Sequence, residues 1–576
     1  MKKIILLSII SVNLLAQTGN TVKYLDKNKV KARINTVNDK FWNINGNGAA
    51  SYEVPAGKGR NAMFANSIWI GGLDGGGQLH LAANTYKQSG TDFWPGPLDT
   101  TNASTIGTPS TSLYNKLWKI DCNDIANFVT AFNNGSVTAN TYTIPADILN
   151  YPAKGIGNYQ RNMAPFVDVN NNGIYDPFND GDYPIIKGHQ QILSIYNDNH
   201  TIHSESQGVP MGIEIHERSY SYSDPNIVDS MQAINYTTFH HYTIYNRSLT
   251  SYQQVYLTDW SDVDLGNYGD DYIGSDTINN FAYCYNGDSV DENISGALGY
   301  GNKPPVSSLV LLPTNCTQDG IDNNHNGQID ESGEQFDMDL VTYYNNNVGA
   351  FPPQTTNPSI ATHYYNYMSG RWKDNTPFTF GGNGYSGSAA TKIMYPGDPQ
   401  LNSGWTETAV GNTPGDRRIL LSSGPFAFPA RSKIEWGFAI VFSQDTANAV
   451  NTITEFNQRV QRDVRNVKYY DAIHQGVQCA PTTTAAGATG IAEQKSQKMK
   501  AVIYPNPTNG FLNILLNETL QLAQIRLIDI SGRTLSESLI ENNSQFKLDV
   551  SNVEKGIYFV EITSGNKKHT VKIIKN

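Results

Sequence analysis

The stretch RSKIEWGFAIVFSQ, residues 431–444, constrains the fold of this chain more than any other. It sets Ile434, Trp436, Phe438, Ile440 and Phe442 at every second position, so large apolar side chains leave one face of an extended strand. Such a face needs a second apolar layer opposite it. INYTTFHHYTIYNRS, residues 234–248, carries aromatic or β-branched residues on both faces, which fits a strand covered on both sides. YQQVYLTDW, 252–260, follows after a short turn, and the spacing predicts that these two strands pair antiparallel. SIWIGGLDGGGQLHLAA, 67–83, predicts a hairpin turning at Asp74, Gly75, Gly76 and Gly77, whereas TDFWPGPLDT, 91–100, reads as a loop. One amphipathic helix is predicted over 447–476, with Val450, Ile453, Phe456, Val460, Val464 and Val467 on one stripe and Gly476 as its stop. It is expected to pack against the end of the strand layers.

Residues 500–576 alternate again, in about seven short strands by pattern, which suits a small immunoglobulin-like β-sandwich. The fold class is therefore mainly β: a β-sandwich body with one amphipathic helix, plus that C-terminal sandwich. The 50 Gly and 33 Tyr suit strands joined by many turns. A formal net charge of −11, with no Lys/Arg run in the body, argues against a nucleic-acid partner. At the N-terminus Lys2 and Lys3 precede an apolar stretch, Ile4 to Leu15, too short to span a bilayer, with Ala16 at the expected cut. The domain order reads as signal peptide 1–16, a β-rich region 17–165, the body 166–477, a linker 478–499 of small polar residues, and the domain 500–576. No other apolar run is long enough for a transmembrane helix, and no Cys follows the cut to carry a lipid anchor. Cys122, Cys284, Cys316 and Cys479 form no C-x-x-C pair. After export they fit either two disulfides, in any of three connectivities, or four buried thiols.

The tail carries YPNPTNGFLNI, LIDISGRTL, LDVSNVEKGIYFVEI and a closing KIIKN, four separated blocks in order. These resemble the type A C-terminal sorting domain of the type IX secretion system of Bacteroidota. The resemblance covers 500–576 and places Pro505, Asn506, Pro507, Gly510, Gly532, Gly556, Tyr558 and Lys572 on the family pattern. It implies export through the periplasm, reading of the tail by an outer-membrane translocon, and clipping at the linker by a sortase-like processing enzyme. The cargo would then be joined to surface lipopolysaccharide or released. Pro505 and Pro507 are expected to hold a turn while Asn506 and Gly510 take unusual backbone angles. In the body, WIGGLD, DFWPGPL, NGIYDPFNDGDYPIIKG, LTDWSDVDLGNYGDDYIGSD and DGIDNNHNGQIDESGE resemble large exported Bacteroidota surface proteins, a resemblance that implies no activity.

Two loops point to a metal. Asp168, Asn170, Asn172, Gly173 and Asp176 match Asp322, Asn324, Asn326, Gly327 and Asp330 offset for offset, and an acid follows each at one further shared offset, Asp180 and Glu334. Oxygen donors at alternate positions, with Gly allowing the sharp turn, are what a Ca²⁺ loop requires. The place of an EF-hand's bidentate Glu is taken by Asn179 and Gly333, so these are not EF-hands; they resemble the loops of thrombospondin type 3 repeats. A third acid-rich loop places Asp262, Asp264, Asp270 and Asp271 close together, where mutual repulsion favours a cation. No catalytic constellation is legible. GYSGS, 384–388, lacks the last Gly of a nucleophile elbow, and His240 and His241 leave opposite faces of one strand. The chain thus reads as an exported, calcium-binding surface or secreted β-protein with a structural or adhesion role. The alternative is a glycan-active enzyme, or a carbohydrate-binding protein presenting Trp94, Trp260 or Trp372.

Overall fold

The computed structural model describes residues 21–575 apart from 45, 87–89, 104–112, 156–158, 160, 161, 228, 315, 317, 318, 332, 333, 347–350, 446–450, 475–478, 480–500, 505, 507, 509, 530–532, 565 and 566. The expected leader, and all of the expected linker but Cys479, lie outside the described residues.

Two antiparallel sheets form the centre of the body. One has nine strands, in the order Asp271–Asp276, Phe281–Asn286, Val306–Leu311, Lys433–Ser443, Thr237–Asn246, Ile213–Ser221 and Gln190–Asn197; Trp94–Pro95 and Trp118–Asp121 both pair with the last. The other runs Leu340–Asn345, Arg417–Phe428, Tyr252–Asp262, Ala65–Leu73, Leu79–Ala82. The alternating face of Lys433–Ser443 supplies Trp436, Phe438 and Ile440 to one apolar cluster that also holds Trp69, Trp260 and Leu421 of the five-stranded sheet. Trp69 and Trp260 stack with centroids 5.9 Å apart, and Trp436 Nε1 donates across the layers to Ser423 Oγ at 3.1 Å. The Gly-rich hairpin is present: Ile70 pairs with Ala82 and Leu73 with Leu79, and Asp74 Oδ1 accepts the Gly76 and Gln78 amides.

The pairing expected between 234–248 and 252–260 does not occur. Thr237–Asn246 pairs with Ile213–Ser221 and Lys433–Ser443, whereas Tyr252–Asp262 pairs with Ala65–Leu73 and Arg417–Phe428 in the other sheet. The short link carries the chain across the core. A strand apolar on both faces states that it is covered twice and says nothing of its edge partners.

The outer face of the nine-stranded sheet is covered in two places. At one end Val460, Val464 and Val467 pack on Phe239, Tyr283, Val310 and Val441. The predicted helix therefore lies on the sheet's face and not against the end of the layers. It is also broken: a 3-10 turn at Thr452–Glu455 and a π turn at Phe456–Val460 precede the α-helix Gln461–Ile473. At the other end helix Cys122–Asn133 lays Ile125, Phe128 and Val129 on Leu193 and Ile195. That helix escaped the sequence reading, although its i, i+3, i+4 spacing is plain among the Asn and Thr.

Cys122 bonds Cys479, 357 residues along the chain, while Cys284 and Cys316 are buried free thiols. The outcome is neither of the two arrangements expected from the sequence. The disulfide joins the helix on one end of the sheet to the chain that leaves the helix on the other.

The tail forms five antiparallel strands, Ala501–Tyr504, Phe511–Asp529, Thr534–Asp549, Gly556–Ser564 and Lys567–Lys575, and not the seven expected. Two of them are long, and register slips at Leu515/Leu520 and Leu527/Ile528 let each bend through what the pattern reads as separate strands.

Buried acids in the body pull in opposite directions with pH. Burial raises Asp39 and Asp259 to about 7, against the bonds they receive from Trp42 and Asn66. Burial likewise opposes ionisation of Glu214 and Glu217, but His216 and Arg247 around the first, and Lys40 and His240 around the second, outweigh it and hold both at about 2. The glutamates contribute stability above their unfolded range that is lost as pH falls towards 2. The aspartates bind protons more tightly folded than unfolded, so stability falls as pH rises from about 4 to 7. Each tenfold difference in proton affinity between the two states is worth about 1.4 kcal/mol. Melting profiles should therefore decline between pH 5 and 7.5, and Asp259→Asn should flatten that decline; an unchanged slope in the variant contradicts it. Thiol titration should find no reactive cysteine in the native protein and two per chain in denaturant without reductant; four or none would contradict the Cys122–Cys479 bond.

Candidate functional site

The two Asn/Asp loops share one backbone course. Asn171 and His325 are left-handed at φ 59° and 58°, and Gly173 and Gly327 at 76° and 87°. Asp168 accepts the Asn172 and Gly173 amides at 3.1 and 2.7 Å, and Asp322 accepts those of Asn326 and Gly327 at 3.1 and 2.9 Å. Asn170 and Asn324 each accept the amide two residues on. The repeat read in the sequence is thus a repeat of hydrogen bonds.

The acids that follow differ. Asp180 takes a bond from the Asn172 side chain at 2.8 Å, whereas Asp176 turns away to cap the Phe178 and Asn179 amides. In the second loop Glu334 accepts the Asn323 amide at 2.7 Å, and Asp330 reaches back to the Asp319 and Gly320 amides. Two residues that the pattern omitted complete the loops. Asp182 is buried and accepts the Val169 and Asp176 amides, stapling the first loop shut. Glu331 Oε1 accepts from both Asn324 and Asn326 side chains, at 2.8 and 2.7 Å.

The third acid-rich stretch is only partly brought together. Asp262 ends the strand Tyr252–Asp262, and Asp264 follows it. Their partner is Asp416, which stands just ahead of Arg417–Phe428, the neighbouring strand. Carboxylate oxygens of the three lie within 4.8 Å of one another. Asp270 and Asp271 lie outside this triad. Arg418, registered opposite Asp262, places Nη1 2.5 Å from Asp262 Oδ1 and also bonds Asp416. One guanidinium facing three carboxylates leaves charge for a divalent cation to balance. Oxygen Oδ1 of each of Asp262, Asp264, Asp270 and Asp271 is buried without a hydrogen bond, the Arg418 contact on Asp262 being a close ion pair off the hydrogen-bond angle. Burial drives Asp262 and Asp264 far above the usual carboxylate range, with Asp416 adding repulsion to both. Gly266, at φ 76°, lets Asp291 close beneath the neighbouring turn, where any Cβ would collide with its carboxylate. Arg418 also lines a cavity of about 320 Å³ with Glu205, Tyr344 and Tyr364, which brings solvent to the edge of the triad. The group is a hard-donor site that could hold a metal ion. Asp416 and Arg418 carried no local signal, since they lie far from the loop in sequence.

The residues weighed for other chemistry lie in the core. Trp94, Trp260 and Trp372 are buried and offer no exposed platform. His240 is packed against Phe438 on the inner face, while His241 faces outward to Glu435 at 3.4 Å.

In the tail, Asn506 acts through its side chain. Its amide donates to Lys572 O at 2.8 Å and accepts the Ile574 amide at 2.9 Å, so the first motif block clasps the last strand. The backbone angles expected of Asn506 and Gly510 depend on Pro505 and Asn509, which lie outside the described residues. Gly510 O accepts the Val550 amide, Gly556 opens a strand opposite Lys575, and Tyr558 donates to Glu554 O. Pro505, Pro507 and Gly532 lie outside the described residues.

Residues 502–576 match the family described as secretion system C-terminal sorting domain. No curated protein matches the chain. Among solved structures, a polysaccharide lyase aligns at 9% identity over 67% of this chain and 35% of that chain, with a TM-score of 0.19. The BSP domain of a biofilm-associated protein aligns at 9% identity over 61% of this chain and 62% of that one, with a TM-score of 0.12. The chain thus spans about a third of the lyase, and overlaps this loose carry nothing about fold or activity. The sorting domain makes the protein cargo of the type IX secretion system, handled by its translocon and sortase-like enzyme and exported to the cell surface or extracellular space. Among the described residues no helix is long and apolar enough to cross a membrane.

Proposed function

We propose that the exported body is a β-sandwich braced by Ca²⁺, serving a structural or adhesive role at the cell surface, with the tail as a detachable immunoglobulin-like address. The observation that carries the calcium reading is the set of buried oxygens without hydrogen bonds on Asp262, Asp264, Asp270 and Asp271, beside a triad that one arginine cannot neutralise. A cation there would join the ends of two adjacent strands of the five-stranded sheet. The matched loops at Asp168–Asp180 and Asp322–Glu334 would supply further, weaker sites, each with few charged donors. Asp168, Asn170, Asn172 and Asp180 would hold the ion in the first, and Asp322, Asn324, Asn326 and Glu334 in the second. Asp176 and Asp330 would need to swing inward from the amides they now cap.

At about 1 mM free Ca²⁺, sites binding at about 10⁻⁴–10⁻³ M each stabilise the fold by roughly 0.4–1.4 kcal/mol. A chelator should lower the melting temperature of the exported chain, Mg²⁺ should not restore it, and Asp264→Asn with Asp416→Asn should remove most of the response. Superimposable calorimetric curves with and without chelator would strike the metal from this reading.

Export is tested separately. Deleting 500–576 should leave the protein in the periplasm, and surface material should lack the tail, with the cut between 479 and 499. A truncated chain still found on the surface by fractionation contradicts the role of the tail. Lipopolysaccharide attachment should appear as a mass increment on the clipped chain; released material without it marks the other fate.

A further inference from the structure

Between its two coverings the outer face of the nine-stranded sheet meets the segment 162–166. A cleft of about 500 Å³ lies there, within the range of small-ligand sites. Beneath it three registered rows cross the strands Ile213–Ser221, Thr237–Asn246 and Lys433–Ser443: Glu214–Tyr245–Lys433, His216–Thr243–Glu435 and Arg218–His241–Gly437, of which Tyr245, Lys433, His216, Thr243, Glu435 and Arg218 line the cleft. Its wall is the segment 162–166 with Lys154 and Asp168. Gly437 contributes no side chain, which keeps the third row low.

The acids of this cleft are spent, whereas two of its cations, Arg218 and Lys154, meet no carboxylate among the described residues. Glu435 has one oxygen 3.4 Å from Lys433 Nζ and the other 3.4 Å from His241 Nε2. Asp168 is occupied by its own loop's amides, and Glu214 is held by His216, Arg247 and the Leu98 amide. His216 has Met163 O on its other nitrogen. Arg218, by contrast, forms no ion pair with a carboxylate among the described residues; it donates to His241 Nδ1 at 3.2 Å. Because arginine only donates, that nitrogen accepts, and Nε2 carries the proton that faces Glu435. His241 is thereby a neutral spacer that aims the guanidinium, and burial keeps it neutral by lowering its pKa to about 3. Among the described residues Lys154 donates to the neutral Asn162 amide, at 2.7 Å, and lies over the Phe166 ring.

We propose that this cleft binds a carboxylate-bearing sugar unit, with Arg218 as the planar fork for the carboxylate and Lys154 and Lys433 at the rim. A guanidinium short of an anion selects a planar carboxylate. Thr243, Asn162 and the Tyr245 and Phe166 rings offer the mixed polar and apolar lining that a hydroxylated ring requires. The inference stands on Arg218, Lys154 and Lys433 and does not use the calcium reading, although Asp168 of the first loop stands in the wall.

Isothermal titration of the full chain with a galacturonic acid trimer, and with the uncharged galactose trimer, tests it. The acidic trimer should bind, weaken as salt rises, and outbind the neutral one by about tenfold or more. Arg218→Gln should weaken the acidic trimer by at least about tenfold. Lys154→Gln with Lys433→Gln, both at the rim, should also weaken it while leaving the melting temperature unchanged, and this pair decides if Arg218→Gln fails to fold. No binding of the acidic trimer, equal binding of both trimers, or wild-type affinity in the folded variants overturns the proposal.

Discussion

Lys40 and Glu217 meet at 3.3 Å with both side chains buried, and the two layers of the body close around that pair. Lys40 sits on a bridge to Asn66 at the edge of the five-stranded sheet, and Glu217 lies on Ile213–Ser221 in the other sheet. Each charge is satisfied further: Lys40 donates to Tyr242 OH at 3.1 Å, and Glu217 accepts from Tyr196 and Ser219, both at 3.0 Å. A buried ion pair of this kind adds little net stability over apolar residues of the same size, but losing one partner costs about 3–5 kcal/mol. A sheet slipped by one residue would turn Glu217 outward and leave Lys40 alone in an apolar layer. The pair thus penalises other registers more than it strengthens this one.

That register decides the outer face as well. With Ile213, Ile215 and Glu217 turned inward, Glu214, His216, Arg218 and Tyr220 must turn out. Helix Gln461–Ile473 and helix Cys122–Asn133 cover the two ends of that face, and the cleft lies over its polar middle. The Cys122–Cys479 bond ties one covering to the chain leaving the other, just ahead of the segment where the tail is expected to be clipped. Removal of the address would leave this closure in the body.

The acids follow the same division of labour. In the paired loops Asp168 and Asp322 are half-exposed and met by backbone amides, whereas Glu331 and Glu334 of the second loop each keep one buried oxygen without a hydrogen bond. At Asp262, Asp264 and Asp416 the carboxylates are driven together by strand pairing, with Arg418 as the one guanidinium bonded to them among the described residues. Strand adjacency concentrates charge there more than loop composition could.

The features legible in the sequence were those that repeat locally or stand in order. The alternation from Ile434 to Phe442, the hairpin at Asp74, the matched loops at Asp168 and Asp322, the apolar stripe from Ile453 to Val467 and the tail blocks all lie within short spans. Their periodicity or backbone geometry is set by neighbours along the chain. Only the tertiary structure decided which edge each strand takes, that Tyr252–Asp262 crosses to the opposite sheet, that Cys122 finds Cys479, and that Asp416 and Arg418 join Asp262 and Asp264. Local periodicity states which face of a strand is apolar; it does not state what covers that face or which distant charge arrives beside it, because those depend on the register of strands far apart in the chain.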